Sequence, residues 1–114
     1  AYGIDGLRTV ITVTHLDVWG SDALRIRQAI EAVKGNLRLA RKHKIAGKHR
    51  VLVLDHNTPS GAVHAVLVAR GWKRAVGSKR CAIYVRRRMN VWSAWQRPAP
   101  SDHPRLIARL ARKK

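Results

Sequence analysis

The chain has 114 residues, enough for a single domain, residues 1–114, with its own hydrophobic core. Its 24 Lys and Arg residues against 6 Asp and Glu give a formal charge of +18, which predicts a polyanionic partner, with DNA or RNA as the usual one. No run approaches the length of about 18 apolar residues that spans a membrane, and the single cysteine excludes an internal disulfide. No secretory signal pattern is visible, so we expect an intracellular or virion-associated protein with no membrane partner.

The first predicted elements are a strand and an amphipathic helix. Residues 7–15 alternate in polarity and are rich in β-branched side chains, which favours a strand ending at His15. Ser21 is a suitable N-cap for the helix that follows. Apolar residues recur along this helix at helical spacing: Ile26, Ile30, Val33, Leu37 and Ala40. Basic residues on its other faces form either a solvated surface or phosphate contacts, and the candidate contacts are Arg38, Arg41 and Lys42.

A short buried strand, residues 51–54, comes next and ends in polar residues. It leads directly into Asp55, His56 and Asn57 before a Thr-Pro turn. Because strand side chains alternate, Asp55 and Asn57 are expected to point to the same face. Open α/β sheets bind ligands at such strand ends, but an Asx-type turn that only satisfies backbone groups has the same composition. Both interpretations remain open for this stretch.

The remainder predicts a second helix and further strands. Ser60 can cap a helix that ends near Gly71, and strands are expected at residues 72–75, 81–85, 89–95 and 106–110. A basic run separates two of these strands and is a further candidate nucleic-acid contact: Arg86, Arg87 and Arg88. The alternation of strands and helices predicts an α/β fold in which helices pack on a sheet.

Polar groups follow three predicted strands: His15 with Asp17, Asp55 with Asn57, and Asp102 with His103. They can converge only if those strands are neighbours in one sheet. Imidazoles can transfer protons during phosphodiester hydrolysis, and carboxylate and amide oxygens bind Mg²⁺. These residue types are therefore compatible with metal-dependent hydrolysis without identifying it.

Three stretches carry a family resemblance: residues 12–17 with His15-Leu16, residues 53–59 with Asp55 and Asn57 followed by Gly71-Trp72, and residues 101–104 with Ser101-Asp102-His103. In this order they resemble the motifs of the endonuclease/exonuclease/phosphatase superfamily, which has the DNase I-like fold. The Ser-Asp-His match ahead of an apolar strand is the most specific of the three.

The resemblance implies a fold and a set of catalytic residues. The fold would be half of a DNase I-like α/β sandwich, with a mixed, mainly antiparallel sheet and helices on one face. Asp55 and Asn57 would orient or bind the scissile phosphate and the attacking water, and His15 would be the active-site histidine of the first motif. His103 would act as general base or bind phosphate, and Asp102 would help to ligate Mg²⁺ or Mn²⁺ or orient its neighbour.

The chain also departs from the family pattern. Family members are usually longer, with two similar halves, and the resemblance covers only the C-terminal half. The other half carries the Glu that is the principal metal ligand, and Glu31, the only glutamate here, lies on the predicted helix. Leu54 replaces the usual Gly before Asp55, and Ala82 stands where the family has the Asp that steadies the final His.

Three functions therefore remain open. The first is a metal-dependent phosphodiesterase or nuclease domain acting on nucleic acid, incomplete without a second chain or segment that supplies the other half. The second is a catalytically degenerate, basic nucleic-acid-binding or structural component of a virion or ribonucleoprotein. In the third, the resemblance is accidental and the chain is a small basic RNA-binding protein.

Overall fold

A computed structural model describes residues 2–4, 7–16, 21–55, 61–77, 81–97 and 105–111. The elements in these ranges are, in chain order, β1 (Tyr2–Ile4), β2 (Leu7–His15), α1 (Asp22–Lys42), β3 (Arg50–Asp55), α2 (Gly61–Ala69), β4 (Trp72–Gly77), β5 (Cys81–Arg86), β6 (Asn90–Arg97) and β7 (Arg105–Ala111). The helices and the strands from β2 onward confirm the sequence predictions, while β1 was not predicted.

Five strands form one mixed sheet in the order β1-β2-β3-β5-β4. Strands β2 and β3 run parallel with α1 as their crossover, whereas the other pairs of this sheet are antiparallel. Strands β6 and β7 form a separate antiparallel pair. The predicted α/β class with a mixed, mainly antiparallel sheet is thus confirmed.

Both helices pack on the same face of the sheet, which we call the helix face. Strand alternation directs Leu52 and Leu54 of β3 to this face together with Ala82 and Tyr84 of β5, and all four are fully buried. They share one core cluster with residues of both helices and β4: Ala29, Val63, Leu67 and Trp72. The prediction that helices cover one face is confirmed, because the helical side chains meet the even-numbered side chains of β3.

Helix α1 begins where its N-cap predicts, but its buried stripe differs from the predicted one. The Leu24 amide donates to Ser21 Oγ at 3.2 Å. Of the predicted stripe, Ala40 is buried and Ile26 and Val33 pack against the core cluster, whereas Ile30 and Leu37 are only half-buried. Ala29 and Asn36 are buried in addition. The stripe is rotated because Asn36, a polar residue, faces the sheet and forms hydrogen bonds there.

The opposite face of the sheet, which we call the open face, is also apolar. Val51, Val85 and Met89 form a second buried cluster, against which half-buried side chains pack: Ile11, Val53, Ala75 and Ile83. Val13 is 74% exposed. An apolar surface therefore lies on the side of the sheet away from the helices.

In the described part of the chain, neither helix has the length and apolar character needed to cross a membrane.

Candidate functional site

The parallel pairing of β2 with β3 brings two predicted catalytic residues together. His15 and Asp55 are register partners at the carboxyl ends of these strands. The distance between His15 Nε2 and Asp55 Oδ2 is 2.9 Å. The Leu16 amide donates to the Asp55 carbonyl at 2.8 Å, so the backbone ladder continues to the end of both strands. The arrangement fixes the imidazole against the carboxylate on the open face.

The imidazole of this pair is accessible, while the carboxylate is largely covered. The side chain of His15 is 68% exposed and that of Asp55 is 21% exposed. When Nε2–H donates to Asp55, the neutral ring carries its basic nitrogen at Nδ1. A carboxylate in this position orients the ring and stabilises the imidazolium that forms on proton uptake. The pair therefore has the geometry of a general base and its positioning carboxylate.

Cys81 extends this row to a third strand. It is the antiparallel partner of Asp55 in β5 and is half-buried. It is the first residue of β5 and lies beside the His15–Asp55 pair. In the described ranges, His, Cys, Asp and Glu side chains do not form any group of three or more suited to hold a metal ion.

The remaining predicted catalytic residues lie outside the described residues. They are Asn57, Asp102 and His103, so the predicted metal ligand, Asp102, is among them. Glu31 lies on the exposed surface of α1, where its carboxylate is 3.8 Å from Lys34 Nζ. Since Mg²⁺ prefers near-octahedral oxygen coordination, Asp55 and His15 alone do not form a complete site for it.

Ala82 occupies a core position, where the family pattern has an aspartate. It pairs with Leu54 across β3 and β5 and is fully buried.

Nearby, His64 Nδ1 lies 2.8 Å from the hydroxyl of Tyr84. Burial raises the pKa of Tyr84, and the positive charge of Arg74 partly opposes that shift. This pair joins α2 to the sheet within the core, so its evident role is structural.

The predicted nucleic-acid contacts fall into two groups. Arg38, Arg41 and Lys42 are exposed in the C-terminal half of α1. Arg86 is the last residue of β5 and is half-buried. Arg87 and Arg88 are exposed in the turn that follows. In this turn the Met89 amide donates to the Arg86 carbonyl at 2.8 Å. Five of the six side chains are therefore accessible to solvent or a ligand, and the sixth, Arg86, is partly accessible.

Two buried polar residues were missed by the sequence prediction. Arg50 is 6% exposed and Asn36 is fully buried, and Arg50 Nε donates to Asn36 Oδ1 at 2.8 Å. Asn36 lies three residues after Val33 and four before Ala40, so it is a polar residue within the apolar stripe of the helix. This position in the sequence could have indicated that Asn36 is buried. Arg50 gave no such signal, because it follows a basic connector and resembles a solvated residue.

Protein-family models, curated proteins and solved structures were compared with this chain, and none of the three comparisons gives a match. The family resemblance therefore stays a prediction that depends on the residues quoted above.

Proposed function

We propose that this chain is a phosphodiesterase domain of nuclease type, acting on nucleic acid, in which His15 and Asp55 supply the proton-transfer part of the site. The observation that carries the proposal is the 2.9 Å contact between His15 Nε2 and Asp55 Oδ2 at the ends of two parallel strands. Open α/β sheets place ligands at this end of their strands. The formal charge of +18 suits a polyanionic substrate.

In this reaction His15 accepts a proton from the attacking water while Asp55 stabilises the resulting imidazolium. The hydroxide oxygen forms a bond to phosphorus, and the bond between phosphorus and the leaving oxygen breaks. The leaving oxygen then takes up a proton from solvent, and His103, with His15 acting as the base, would bind the scissile phosphate, which is the other role that the family resemblance implies for it. Mg²⁺ or Mn²⁺, with Asp102 among its ligands, would neutralise charge on the phosphate.

The proposal includes a second half of the site, supplied by another chain or segment, which would complete the metal site and raise a low basal rate that the chain has by itself. The β2 side of the open face supports it, because this side carries the His15–Asp55 pair, whereas Val51, Val85 and Met89 on the same face are already buried. Val13, two residues before His15 and on the same face, is 74% exposed. Apolar sheet faces are normally covered by another layer of structure.

The test is cleavage of supercoiled plasmid DNA by the purified chain with Mg²⁺ or Mn²⁺, with and without EDTA. We expect metal-dependent nicking that His15→Gln and His103→Ala both abolish. His43→Gln is the matched control, because His43 is an exposed histidine at the C-cap of α1. Nicking that persists in either active-site variant would identify a contaminating nuclease and remove the assignment.

A second candidate function is nucleic-acid binding without catalysis. The fully buried Ala82 favours it, because Ala82 stands where the family pattern has the aspartate that steadies the final histidine. In that case affinity for nucleic acid would fall steeply with salt and be unaffected by EDTA and by His103→Ala. A metal requirement for binding would count against this second function.

A further inference from the structure

A cavity at the other end of the sheet is lined mainly by cations. It has a volume of about 850 Å³ and lies where β3 begins and β5 ends. Of its eight lining residues, five are Lys or Arg, and we call these the arginine pocket: Lys48, Arg50, Arg86, Arg87 and Arg88. No acidic residue is among those that line it in the described part of the chain. The pocket therefore concentrates positive charge that no acidic residue among its described lining neutralises.

The pocket is separate from the His15–Asp55 pair. Arg50 and Asp55 are the first and last residues of β3, about 17 Å apart at the usual rise of a strand. Their side chains also point to opposite faces, because the residue numbers differ by an odd number. A ligand of the arginine pocket is therefore held by a different surface from the one proposed for hydrolysis.

Arg50 is held in place by neutral partners inside the protein. Its Nε donates to Asn36 Oδ1 at 2.8 Å, and its Nη2 lies 3.4 Å from the Val33 carbonyl. Asn36 is itself fixed, since its Nδ2 donates to Thr12 Oγ1 and to the Val51 carbonyl, both at 3.0 Å. This network fixes the direction of a guanidinium that is only 6% exposed.

Arg86 is placed beside Arg50 by a second set of neutral contacts. Its Nη1 donates to the Arg70 carbonyl at 2.8 Å. Both guanidinium carbons lie 5.1 Å from the ring centroid of the buried Trp72, within cation–π range. Gly71 makes room for Arg86, because a Cβ there would lie 2.8 Å from Arg86 Nη2. Two of the five cations, Arg50 and Arg86, are thus held in specific positions by neutral contacts.

The guanidinium groups of the buried Arg50 and the half-buried Arg86 repel each other. Burial lowers the pKa of Arg50 to about 10, with further lowering by the charges of Arg86 and Arg41. Burial also lowers the pKa of Arg86, as does the charge of Arg87. A buried charge without a counter-charge is unfavourable, and an anion in the cavity would remove that penalty. Guanidinium groups bind phosphate oxygens through paired N–H donors, which makes phosphate the best-matched anion.

We infer that the arginine pocket binds backbone phosphates of the nucleic acid, with Arg50 and Arg86 as fixed donors and Lys48, Arg87 and Arg88 around them. The inference rests on the proposed function only for the identity of the polyanion, and needs neither metal nor catalysis. A nucleic acid offers phosphates in series, which suits five cations around one open cavity better than a single phosphate does.

The experiment measures binding of fluorescently labelled single-stranded and duplex DNA in EDTA, over a range of salt concentrations. Arg87→Ala/Arg88→Ala removes two exposed pocket cations, and Arg27→Ala/Lys34→Ala removes two exposed cations from α1 as the matched control. We expect the pocket variant to bind at least about tenfold more weakly, with a salt slope smaller by about two. The control variant should lose less than about threefold. Equal losses in the two variants would overturn the inference.

Two further measurements test the buried donors and the source of the phosphate. Arg50→Lys keeps the charge but loses the planar fork, so it should weaken DNA binding while circular dichroism shows a folded protein. Unchanged affinity in the folded Arg50→Lys protein would contradict the role of Arg50. Inorganic tripolyphosphate should compete with DNA. If it stabilises the wild-type chain against heat without displacing DNA, the pocket serves a small phosphate compound and the assignment to nucleic acid is wrong. Loss of nuclease activity alone changes none of these results.

Discussion

Asn36 accepts a 2.8 Å hydrogen bond from Arg50, and this neutral amide is the fixed partner of a guanidinium that is 6% exposed. The amide also bonds β2 and β3, through Thr12 and the Val51 carbonyl. One side chain of α1 therefore fixes the parallel strand pair and the orientation of Arg50. The charge of Arg50 is positioned by this contact without being neutralised, which leaves that charge for a ligand.

Replacing Asn36 should destabilise the fold. Asn36→Ala leaves the Arg50 Nε donor, the Thr12 hydroxyl and the Val51 carbonyl without this partner in a buried site. Unsatisfied buried polar groups cost about 1–3 kcal/mol, so we expect the free energy of unfolding in urea to fall by roughly 2–3 kcal/mol. Lys34→Ala, on the exposed side of the same helix, should change it by less than about 0.5 kcal/mol. A loss in Asn36→Ala no larger than in this control would show that the network contributes little.

The stability should depend on pH in the alkaline range through Arg50. The folded protein releases this proton near pH 10, whereas the unfolded chain keeps it to higher pH, so above about pH 10 the unfolded state binds more protons. The free energy of unfolding of the wild type, minus that of Arg50→Met, should therefore rise by roughly 1 kcal/mol between about pH 9 and 11. The difference removes the titration of Lys and Tyr residues that the two proteins share. A flat or falling difference would mean that Arg50 is not desolvated.

Gly71 should not tolerate a side chain, whereas Gly47 should. Gly71 has φ of +88°, and a Cβ there would meet Arg86, while a Cβ at Gly47 has no atom within 4 Å. The backbone conformation alone costs an L-residue about 1–2 kcal/mol. Gly71→Ala should thus lower the free energy of unfolding by at least that amount and weaken DNA binding through displacement of Arg86. Gly47→Ala, also at the cavity wall, should change neither by much. Similar effects of the two substitutions would contradict the close packing at Gly71.

Asp55→Asn should reduce cleavage without reducing DNA binding. The amide is nearly isosteric and keeps a polar contact with His15, but it does not stabilise an imidazolium as a carboxylate does. We expect the cleavage rate to fall by roughly 10²-fold or more, with the affinity in EDTA unchanged within about twofold. A rate close to that of the wild type would show that the carboxylate of Asp55 takes no part in proton transfer.

The sequence alone determined the class of fold and the chemistry available to it. The alternation of polar and apolar residues at 7–15 and the apolar run at 51–54 predicted β2 and β3. Such patterns can be read from the sequence because they involve only residues that are close together in the chain. Ser21 and Gly71 marked helix ends for the same local reason. The excess of Lys and Arg is a sum over residues, so the net charge follows from the sequence without a structure.

Only the tertiary structure decided which of these groups meet and which are buried. His15 and Asp55 touch because β2 and β3 are parallel neighbours in register, and pairing between distant segments leaves no periodic signal in either one. In the sequence Arg50 resembles a solvated cation, whereas in the folded chain it contacts Asn36 of α1 and lies with Arg86 beside the ring of Trp72. Burial and register are properties of the packed chain, so the candidate catalytic pair and the arginine pocket become visible only when the sheet is assembled.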